Sequence, residues 1–552
     1  MIVEEQIREI LLKAIEKTGD FKTSEIPLII DIPREKKFGD YSTNFALLSA
    51  KALKKNPREI SGKIIEKISD PSGIINDIKI EGGGFINFFV KKEAFHQLIP
   101  LILSSPHDYG KQNLGQGIKL QIEFVSANPV GPMHAGHGRW AVLGDSIANI
   151  LSFTGYDVQR EFYVNDFGNQ MELFSQSVLA RYLELLGESS EFPEEGYKGA
   201  YITEIAQKII DKEGPKFLKM PQDERLEQIR ELSYNQVLDL IKKVLKETDV
   251  NFDCFFSERT LHASGEVQKT LEILTQNGCT YEQDGAIWLK SSALGDEKDW
   301  VLVKSDGNPT YFLVDIAYHK NKAMRGFQKV INIWGSDHFS HVKRMHASLR
   351  ALGLNSGILE VIIGQMVILK RGGMLVRMSK RTGEMVTLEE LIAEVGRDAA
   401  RFFFIMKSAN SVLDFDIELA KSQSQENPVY YLQYAHARIC SIFKIAEQEG
   451  IRLKEISNTD LTLLAEEPEN IILKKMEQFP SVVKNASNRR EPHLLAHYAL
   501  DLAGDFHSYY SHYRILSDGK NLTLARLELL KALKIIFETS CALLGITAPE
   551  KM

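Results

Sequence analysis

The sequence predicts an α/β protein whose core is a doubly wound, Rossmann-like parallel sheet with an insertion, joined to an N-terminal α+β domain and a C-terminal all-α bundle. Three observations lead to this fold class. An apolar run over 118–124, a turn of small residues and a proline-free, apolar-periodic run over 140–153 have the pattern of a strand, a turn and a helix. Similar strand-like and helical runs alternate further along the chain, and helical periodicity prevails beyond about residue 396. A chain of 552 residues is also too long for one hydrophobic core.

Composition narrows the class of protein. Hydrophobic residues make up 44% of the chain and charged residues 26%, as in ordinary globular proteins, and no apolar run approaches the ~18 residues of a membrane span. The first residues lack the basic segment and apolar stretch of a secretory signal, so we expect a cytoplasmic protein. The cysteines are widely scattered, which argues against disulfides and a zinc knuckle. A net charge of −7 gives no overall attraction to nucleic acid, so such a partner would need local basic patches.

Changes of pattern along the chain predict the domain limits. Ser42 is expected to cap a helix that runs to residue 53, and a glycine triplet leads into an apolar strand over 85–90. The expected limits are 1–110 for the N-terminal domain, 111–395 for the core with its insertion at about 171–300, and 396–552 for the helical bundle.

Several elements of the second half would carry polar side chains. A helix is expected to begin at Asn308 and Pro309. Three of its residues recur every four positions and so share one face: Tyr311, Asp315 and His319. A hairpin of 366–370 and 374–378 leads into a cationic loop, after which Thr387 and Glu390 form a capping box. Helical breaks are expected at 427–428, 479–480 and 491–492.

The turn after the first core strand is a candidate phosphate site. In an open parallel sheet, ligands bind beyond the carboxyl ends of the strands, and a helix N-terminus offers N–H groups and a positive dipole end to a phosphate. We therefore expect His134 and His137 to flank a phosphate, while Gly136 lets a flat base approach the backbone. The alternative is that the two histidines only satisfy each other at the start of a helix.

A second polar turn follows the strand expected over 329–334. Asp337, His338 and His341 could be mistaken for metal ligands. No fourth ligand is evident in the nearby sequence, so we predict no metal site.

Together these motifs resemble the signatures of class I aminoacyl-tRNA synthetases, and specifically of the arginyl-tRNA synthetase family. Residues 134–137 resemble the first class signature. Residues 377–381 resemble the second signature. Arginine replaces the usual lysine at its first position, and arginine also replaces the usual serine at its last position. Gly335, Asp337 and His341 resemble the ribose-contacting element of the class. Six further stretches resemble the arginyl family: 39–41, 123–129, 163–170, 310–319, 427–438 and 544–552.

The resemblance implies an enzyme that uses ATP, with Mg²⁺, to attach L-arginine to its tRNA through arginyl-adenylate, releasing pyrophosphate and AMP. It also implies a monomer that requires bound tRNA for activation. The N-terminal domain would contact the corner of the tRNA, and the helical bundle would hold the anticodon.

The resemblance assigns roles to residues of this chain. The catalytic residues would be His134, His137, Lys380 and Arg381. Arginine would be bound by Glu123, Asn128, Tyr311 and Asp315. ATP would be bound by Ser126, His134, Gly136, His137, Gly335, Asp337, His341, Met378, Ser379 and Lys380. Tyr434 and Arg438 would contact tRNA, although an aromatic helical stripe is also typical of a bundle core.

These residue types suit the implied chemistry. The carboxylate of the amino acid attacks the α-phosphate, so the protein needs no nucleophile and acts through positioning and cationic stabilisation. Arginine is a planar, five-donor cation, and paired carboxylates such as Glu123 and Asp315 match its geometry. Arg377 is not equivalent to lysine, so Lys380 would carry more of the stabilisation.

Two alternatives stay open at this point. The chain could be a catalytically silent relative that only binds tRNA or a regulatory partner, or an enzyme for another amino acid. The presence of both signatures argues against the first, and the pair Glu123 and Asp315 argues against the second.

Overall fold

The computed structural model describes residues 2–19, 26–33, 35–376, 386–451, 459–517 and 519–552. The elements of its N-terminal part are α1 (Ile2–Thr18), β1 (Tyr41–Thr43), α2 (Phe45–Leu53), α3 (Pro57–Lys67), β2 (Ile75–Glu81), β3 (Phe85–Val90), α4 (Lys92–His96) and α5 (Leu98–Ser104). The strands form an antiparallel sheet of order β1-β3-β2, on which α2 and α3 pack. This part is the expected α+β unit.

Ser42 does not cap a helix, which corrects the sequence expectation. It lies in β1, where its hydroxyl donates to Asn87 Oδ1 at 2.6 Å, and α2 begins only at Phe45. The reason is the alternation around it: Tyr41 and Thr43 are buried on one face of the sheet while Ser42 points to the other.

The core is an α/β structure with a five-stranded parallel sheet. Its elements are β4 (Lys119–Glu123), α6 (Ala135–Phe153), β5 (Asp157–Val164), α7 (Asn169–Leu185), α8 (Ala200–Glu213), α9 (Gln222–Glu247), β6 (Cys254–Ser257), α10 (Arg259–Ala263), α11 (Glu266–Gln276), β7 (Thr280–Gln283), β8 (Ala286–Leu289), β9 (Trp300–Val303), α12 (Tyr311–Met324), β10 (Lys329–Gly335), α13 (His341–Ala351) and β11 (Leu359–Gly364). The strand order is β11-β10-β4-β5-β6, which confirms the doubly wound fold class. The chain changes direction across the sheet between β4 and β10.

The sheet is interrupted by two inserted groups of elements. Helices α7 to α9 lie between β5 and β6, and α10, α11 and the small antiparallel sheet of β7 to β9 lie between β6 and α12. The range 171–300, suggested as one insertion, therefore contains β6, which is an edge strand of the core sheet.

A smaller sheet follows the core. Its elements are β12 (Val367–Arg371), β13 (Met374–Leu375), α14 (Leu388–Val395), α15 (Arg397–Ile405), β14 (Leu413–Asp416) and α16 (Ile417–Lys421). The expected hairpin is present as β12 and β13, although its expected last residues, 377 and 378, lie outside the described residues. Thr387 and Glu390 form the expected capping box of α14. Strand β14 was not expected in a helical region; it forms because Leu413 and Phe415 alternate with polar residues and are buried.

The C-terminal part is a helical bundle of α17 (Pro428–Gln448), α18 (Glu467–Arg489), α19 (His493–His512) and α20 (Lys520–Leu544). The break expected at 479–480 is wrong, because Pro480 lies inside α18. Proline has no N–H to donate to the carbonyl four residues earlier, which is that of the buried Met476. The hydroxyl of Tyr109 donates to this carbonyl at 2.9 Å instead, so a connecting segment replaces the missing helical hydrogen bond.

The N-terminal domain docks on the same helix through a buried carboxylate. Glu477 of α18 is 1% exposed, and its Oε1 accepts hydrogen bonds from the backbone N–H groups of Val3 at 2.7 Å and Glu4 at 3.0 Å. Its other oxygen accepts from the hydroxyl of Tyr41. The carboxylate thus satisfies the first N–H groups of α1 and fixes this domain against the bundle.

None of the helices in the described ranges combines the length and apolar character needed to cross a membrane.

We predict that Tyr109→Phe destabilises the protein, because it removes the donor to the buried Met476 carbonyl. The expected cost is about 1–3 kcal/mol, seen as a lower urea midpoint at unchanged slope. Tyr510→Phe is the control: Tyr510 is 37% exposed, and its change should stay within about 0.5 kcal/mol. Equal midpoints for Tyr109→Phe and the unaltered protein would contradict this role.

Candidate active site

The candidate site lies at the carboxyl ends of β4 and β10, where the chain changes direction across the sheet. Glu123 ends β4, and its register partner on β10 is Asn332. The turn that follows is strained, because Val125 and Ser126 have φ angles of 68° and 42°. This turn aims the Ser126 hydroxyl back at the strand end, where it donates to Glu123 Oε1 at 3.0 Å and accepts from the backbone N–H of Tyr163 at 3.1 Å.

The two histidines of the first signature build the N-terminus of α6. His134 is the N-cap residue: its Nδ1 accepts from the backbone N–H of Gly136 at 3.1 Å, and the Nδ1 of His137 accepts from the backbone N–H of His134 at 3.3 Å. The rings stack with centroids 3.7 Å apart. Because both Nδ1 atoms accept, each neutral ring carries its proton on Nε2, which is then a donor. The arrangement presents donors at a positive helix end.

Gly136 is required by this stack. A Cβ at position 136 would lie 2.9 Å from Cε1 of the His134 ring. The glycine therefore makes room for the imidazole that caps the helix, in addition to the expected approach of a base.

The second signature is followed by a segment that contacts the turn of the two histidines. Its residues Met378, Ser379, Lys380 and Arg381 lie outside the described residues. The chain after them is fixed to the first signature: the backbone N–H of Leu388 donates to the Met133 carbonyl at 2.8 Å, and Thr387 forms a β-bridge with His134. This tether places residues 387 and 388, which follow the cationic loop in the sequence, at the N-terminus of α6.

The turn after β10 projects polar groups from the same sheet edge. The side chain of Asp337 is 81% exposed, and its carboxylate lies 3.5 Å from His338 Nε2. A Cβ on Gly335 would meet Asp337 Oδ1 at 2.6 Å, so the glycine allows the aspartate to fold back over the strand end. Burial, with Arg344 and His338 nearby, lowers the pKa of His341 and favours its neutral form. Among the described residues, no group of three His, Cys, Asp or Glu side chains could hold a metal ion.

Helix α12 supplies the acidic side of the site. It begins at Tyr311 with Thr310 as its N-cap residue, and not at Asn308 and Pro309 as expected, because the Thr310 side chain accepts from the backbone N–H of Leu313. Tyr311 is 57% exposed at the mouth of the crevice. Burial and the neighbouring Glu123 raise the pKa of Asp315 to about 7. His319, one turn further, is buried beneath them.

The Glu123 carboxylate is buried and already paired. It is 7% exposed, and its Oε2 accepts from the ammonium of Lys322 at 2.5 Å. The structure therefore places Glu123 at the floor of the crevice, where it is half of an ion pair and not a lone acceptor.

Glu258 is a carboxylate of this crevice that sequence reasoning missed. It directly follows β6, is 2% exposed, and accepts from the Tyr163 hydroxyl at 2.9 Å. Burial, together with the neighbouring Asp315, raises its pKa to about 7. Its position just beyond the carboxyl end of a core strand is the same signal that singled out Glu123, but β6 itself was not recognised.

The remaining predicted residues lie in two places. Asn128 is at the crevice, where its Nδ2 donates to Gln170 Oε1 at 2.6 Å. Tyr434 and Arg438 lie far along the chain on α17, with the guanidinium 4.4 Å from the Tyr434 ring and 4.5 Å from that of Tyr510. Tyr434 and Arg438 are both partly exposed, so they form a surface rather than the inner core of the bundle.

Three family models match consecutive parts of the chain. They are the arginyl tRNA synthetase N-terminal domain over 5–90, the catalytic domain of class I tRNA synthetases (R) over 98–429, and the DALR anticodon binding domain over 432–552.

Similar proteins cover almost the whole chain. The arginine–tRNA ligase of Carboxydothermus hydrogenoformans is 49% identical over 528 residues, which are 96% of this chain and 95% of the relative. That of Desulforamulus reducens is 47% identical over 556 residues and 99% of both chains. The solved structure of Thermus thermophilus arginyl-tRNA synthetase covers 99% of both chains with a TM-score of 0.76 at 23% identity, which shows the same fold. These matches and the geometry of the crevice lead to one conclusion: the chain belongs to the arginyl-tRNA synthetase family.

Proposed function

We propose that this chain attaches L-arginine to its tRNA with ATP, through arginyl-adenylate and with release of pyrophosphate and AMP. The observation that carries the proposal is the meeting of two opposite environments at one sheet edge. Buried carboxylates lie on one side, and a helix N-terminus with two imidazole donors lies on the other. The first environment suits a guanidinium and the second suits phosphates.

The guanidinium of arginine is proposed to bind between the carboxylates of Asp315 and Glu258, above Glu123. Two carboxylates approach a planar five-donor cation from different directions, which favours arginine over the point charge of lysine. Tyr311, exposed at the mouth, would cover the bound side chain. Asn128 would hold the α-amino or carboxylate group of the substrate.

ATP is proposed to bind along the N-terminus of α6 and the turn after β10. His134 and His137 would donate from Nε2 to the phosphates, with Gly136 beneath them, and Ser126 would line the turn. Gly335, Asp337 and His341 would hold the ribose. Met378, Ser379, Lys380 and Arg381 are assigned to ATP by resemblance, and the tether of Leu388 to Met133 supports this assignment.

The reaction needs positioning and electrostatic stabilisation. The arginine carboxylate attacks the α-phosphate, and negative charge grows on the phosphoryl oxygens and the leaving pyrophosphate. Preorganised donors such as the two imidazoles and Lys380 stabilise this charge, each by on the order of 3 kcal/mol. Mg²⁺ would arrive with ATP, held mostly by phosphate oxygens and water.

The tRNA is proposed to span the molecule. Tyr434 and Arg438 offer a ring for stacking and a cation to single-stranded anticodon bases. The N-terminal domain would contact the tRNA corner, and activation would require bound tRNA. We also propose that the enzyme acts as a monomer in the cytoplasm, which light scattering and cell fractionation would test.

The direct test is arginine-dependent ATP–pyrophosphate exchange with and without tRNA. We expect exchange with arginine and the tRNA, and none with lysine. Correctly folded protein that exchanges nothing under either condition would support the silent tRNA-binding relative instead.

We predict that Asp315→Asn weakens arginine binding selectively, because it removes one charged acceptor from the proposed ion pair with the guanidinium. The KM for arginine should rise about 100-fold, or about 3 kcal/mol, while the KM for ATP changes less than about threefold. Asp337→Asn is the matched variant, for which the larger change should be in the KM for ATP. Equal effects of Asp315→Asn on both substrates would show that Asp315 is misplaced.

We predict that arginine binds more tightly as the pH rises through 7. In the ligand-free site the pKa of Asp315 and that of Glu258 are raised to about 7, so below this pH both carboxyls are increasingly protonated, and a neutral carboxyl binds a guanidinium more weakly than a carboxylate does. Binding should therefore release protons. Calorimetry at pH 6.5 in buffers of different ionisation enthalpy measures this release, and an observed enthalpy independent of the buffer would contradict the prediction.

A further inference from the structure

Lys322 is a completely buried lysine beneath the arginine pocket. Its side chain is 0% exposed, on the last turns of α12, seven residues after Asp315 and so on the same side of the helix. A lysine is almost never fully buried without partners, because removing an ammonium from water costs several kcal/mol.

The partners of Lys322 join both strands at the point where the chain changes direction. Its Nζ donates to Glu123 Oε2 at 2.5 Å and to Asn332 Oδ1 at 2.9 Å, and it lies 4.3 Å from the centroid of the Tyr318 ring. Glu123 and Asn332 are register partners on β4 and β10. One ammonium therefore bridges the end of β4 and the middle of β10.

The hydrogen bonds around Lys322 fix the orientation of the side chains that surround it. The Nδ2 of Asn332 donates to His319 Nε2 at 2.9 Å, which turns the amide oxygen toward the ammonium. The other ring nitrogen of His319 donates to the Asp315 carbonyl at 2.8 Å. Burial, together with the charge of Lys322, lowers the pKa of His319 to about 3, so the ring stays neutral and can accept. The network ends at the backbone of the residue that lines the pocket.

We propose that Lys322 is the counter-ion of the arginine pocket: it bonds the Glu123 carboxylate from below and so lessens the repulsion between Glu123 and the neighbouring Asp315 carboxylate when a guanidinium binds. Without it, the buried Glu123 carboxylate would have no cation bonded to it and would lie next to Asp315, and a buried carboxylate beside another tends to take up a proton. Lys322 is thus a positioning residue that acts through the pocket carboxylates. The inference rests on the proposed function.

Other titratable groups, charged and neutral, also face this pocket. From the elements around it they are Glu123 of β4, Glu161 and Tyr163 of β5, Glu258 after β6, Tyr318 and His319 of α12, and Arg344 of α13. The cation bonded directly to Glu161 is Arg325, at 2.5 and 2.8 Å. Arg344 lies 3.1 Å from the centroid of the Trp300 ring. Among the residues that the structure describes, the cation bonded directly to Glu123 is thus Lys322.

The test is the pH dependence of the arginine KM in ATP–pyrophosphate exchange, with tRNA present, from pH 6 to 9. The variants are Lys322→Met, Glu123→Gln and the double variant. Lys322→Met should raise the midpoint of the pH dependence of the arginine KM by about 1 pH unit, and should raise the arginine KM at pH 7 about tenfold. The KM for ATP and kcat should each change less than about threefold. Glu123→Gln should lower the midpoint, and the double variant should restore it.

Lys320→Met is the matched control. Lys320 lies on the same helix, is 8% exposed and is paired with Glu266 at 3.0 Å, away from the pocket. Its loss should lower the melting temperature without moving the midpoint. If Lys322→Met does not fold, the double variant leaves no unpaired charge, and its comparison with Glu123→Gln still isolates the ammonium.

Two failures are distinguishable. If the unaltered enzyme shows no arginine-dependent exchange, the proposed function is wrong. If the unaltered enzyme does show exchange, Lys322→Met is compared with it and the double variant with Glu123→Gln. An unchanged midpoint of the pH dependence in both comparisons would overturn the role of Lys322.

Discussion

The buried ion pair of Glu123 and Lys322 is the contact on which the form of the site depends. It joins β4 to α12, and the bond from Lys322 to Asn332 extends it to β10. Breaking such a pair leaves an uncompensated buried charge and costs about 3–5 kcal/mol. Helix α12 therefore cannot slide over the sheet edge without a large penalty. Since this helix carries Tyr311 and Asp315, the pair sets where the amino acid can lie.

One end of the site favours anions and the other favours cations, because one helix presents its N-terminus and another presents a side that carries a carboxylate. Helix α6 meets the sheet edge with its positive N-terminus, whose first N–H groups are organised by His134 and His137. Helix α12 lays a side bearing Asp315 across the neighbouring strands, and β6 adds Glu258. A cationic amino acid and a polyanionic nucleotide are thus drawn to adjacent positions. Their proximity supplies much of what an adenylation reaction needs.

The periodicity of apolar residues predicted those strands and helices whose pattern is contained in one continuous stretch of sequence. The strand, turn and helix around residues 118–153, the fold class and the family resemblance are confirmed. What local pattern could not show depends on distant contacts. Strand β6 has only four residues and is recognisable through its pairing with β5, so Glu258 went unnoticed. In the sequence, Lys322 has the pattern of a surface lysine near the end of a helix. Its burial is evident only from the packing of that helix on the core sheet. Pro480 stays helical because Tyr109 replaces its missing hydrogen bond.

The most direct measurement is a crystal structure of this protein with L-arginine and a non-hydrolysable ATP analogue. We predict that the guanidinium lies within hydrogen-bond distance of Asp315 and Glu258, with Lys322 still bonded to Glu123 below. We also predict that the triphosphate lies against the Nε2 atoms of His134 and His137. A guanidinium bound away from these carboxylates, or a triphosphate away from the start of α6, would contradict it.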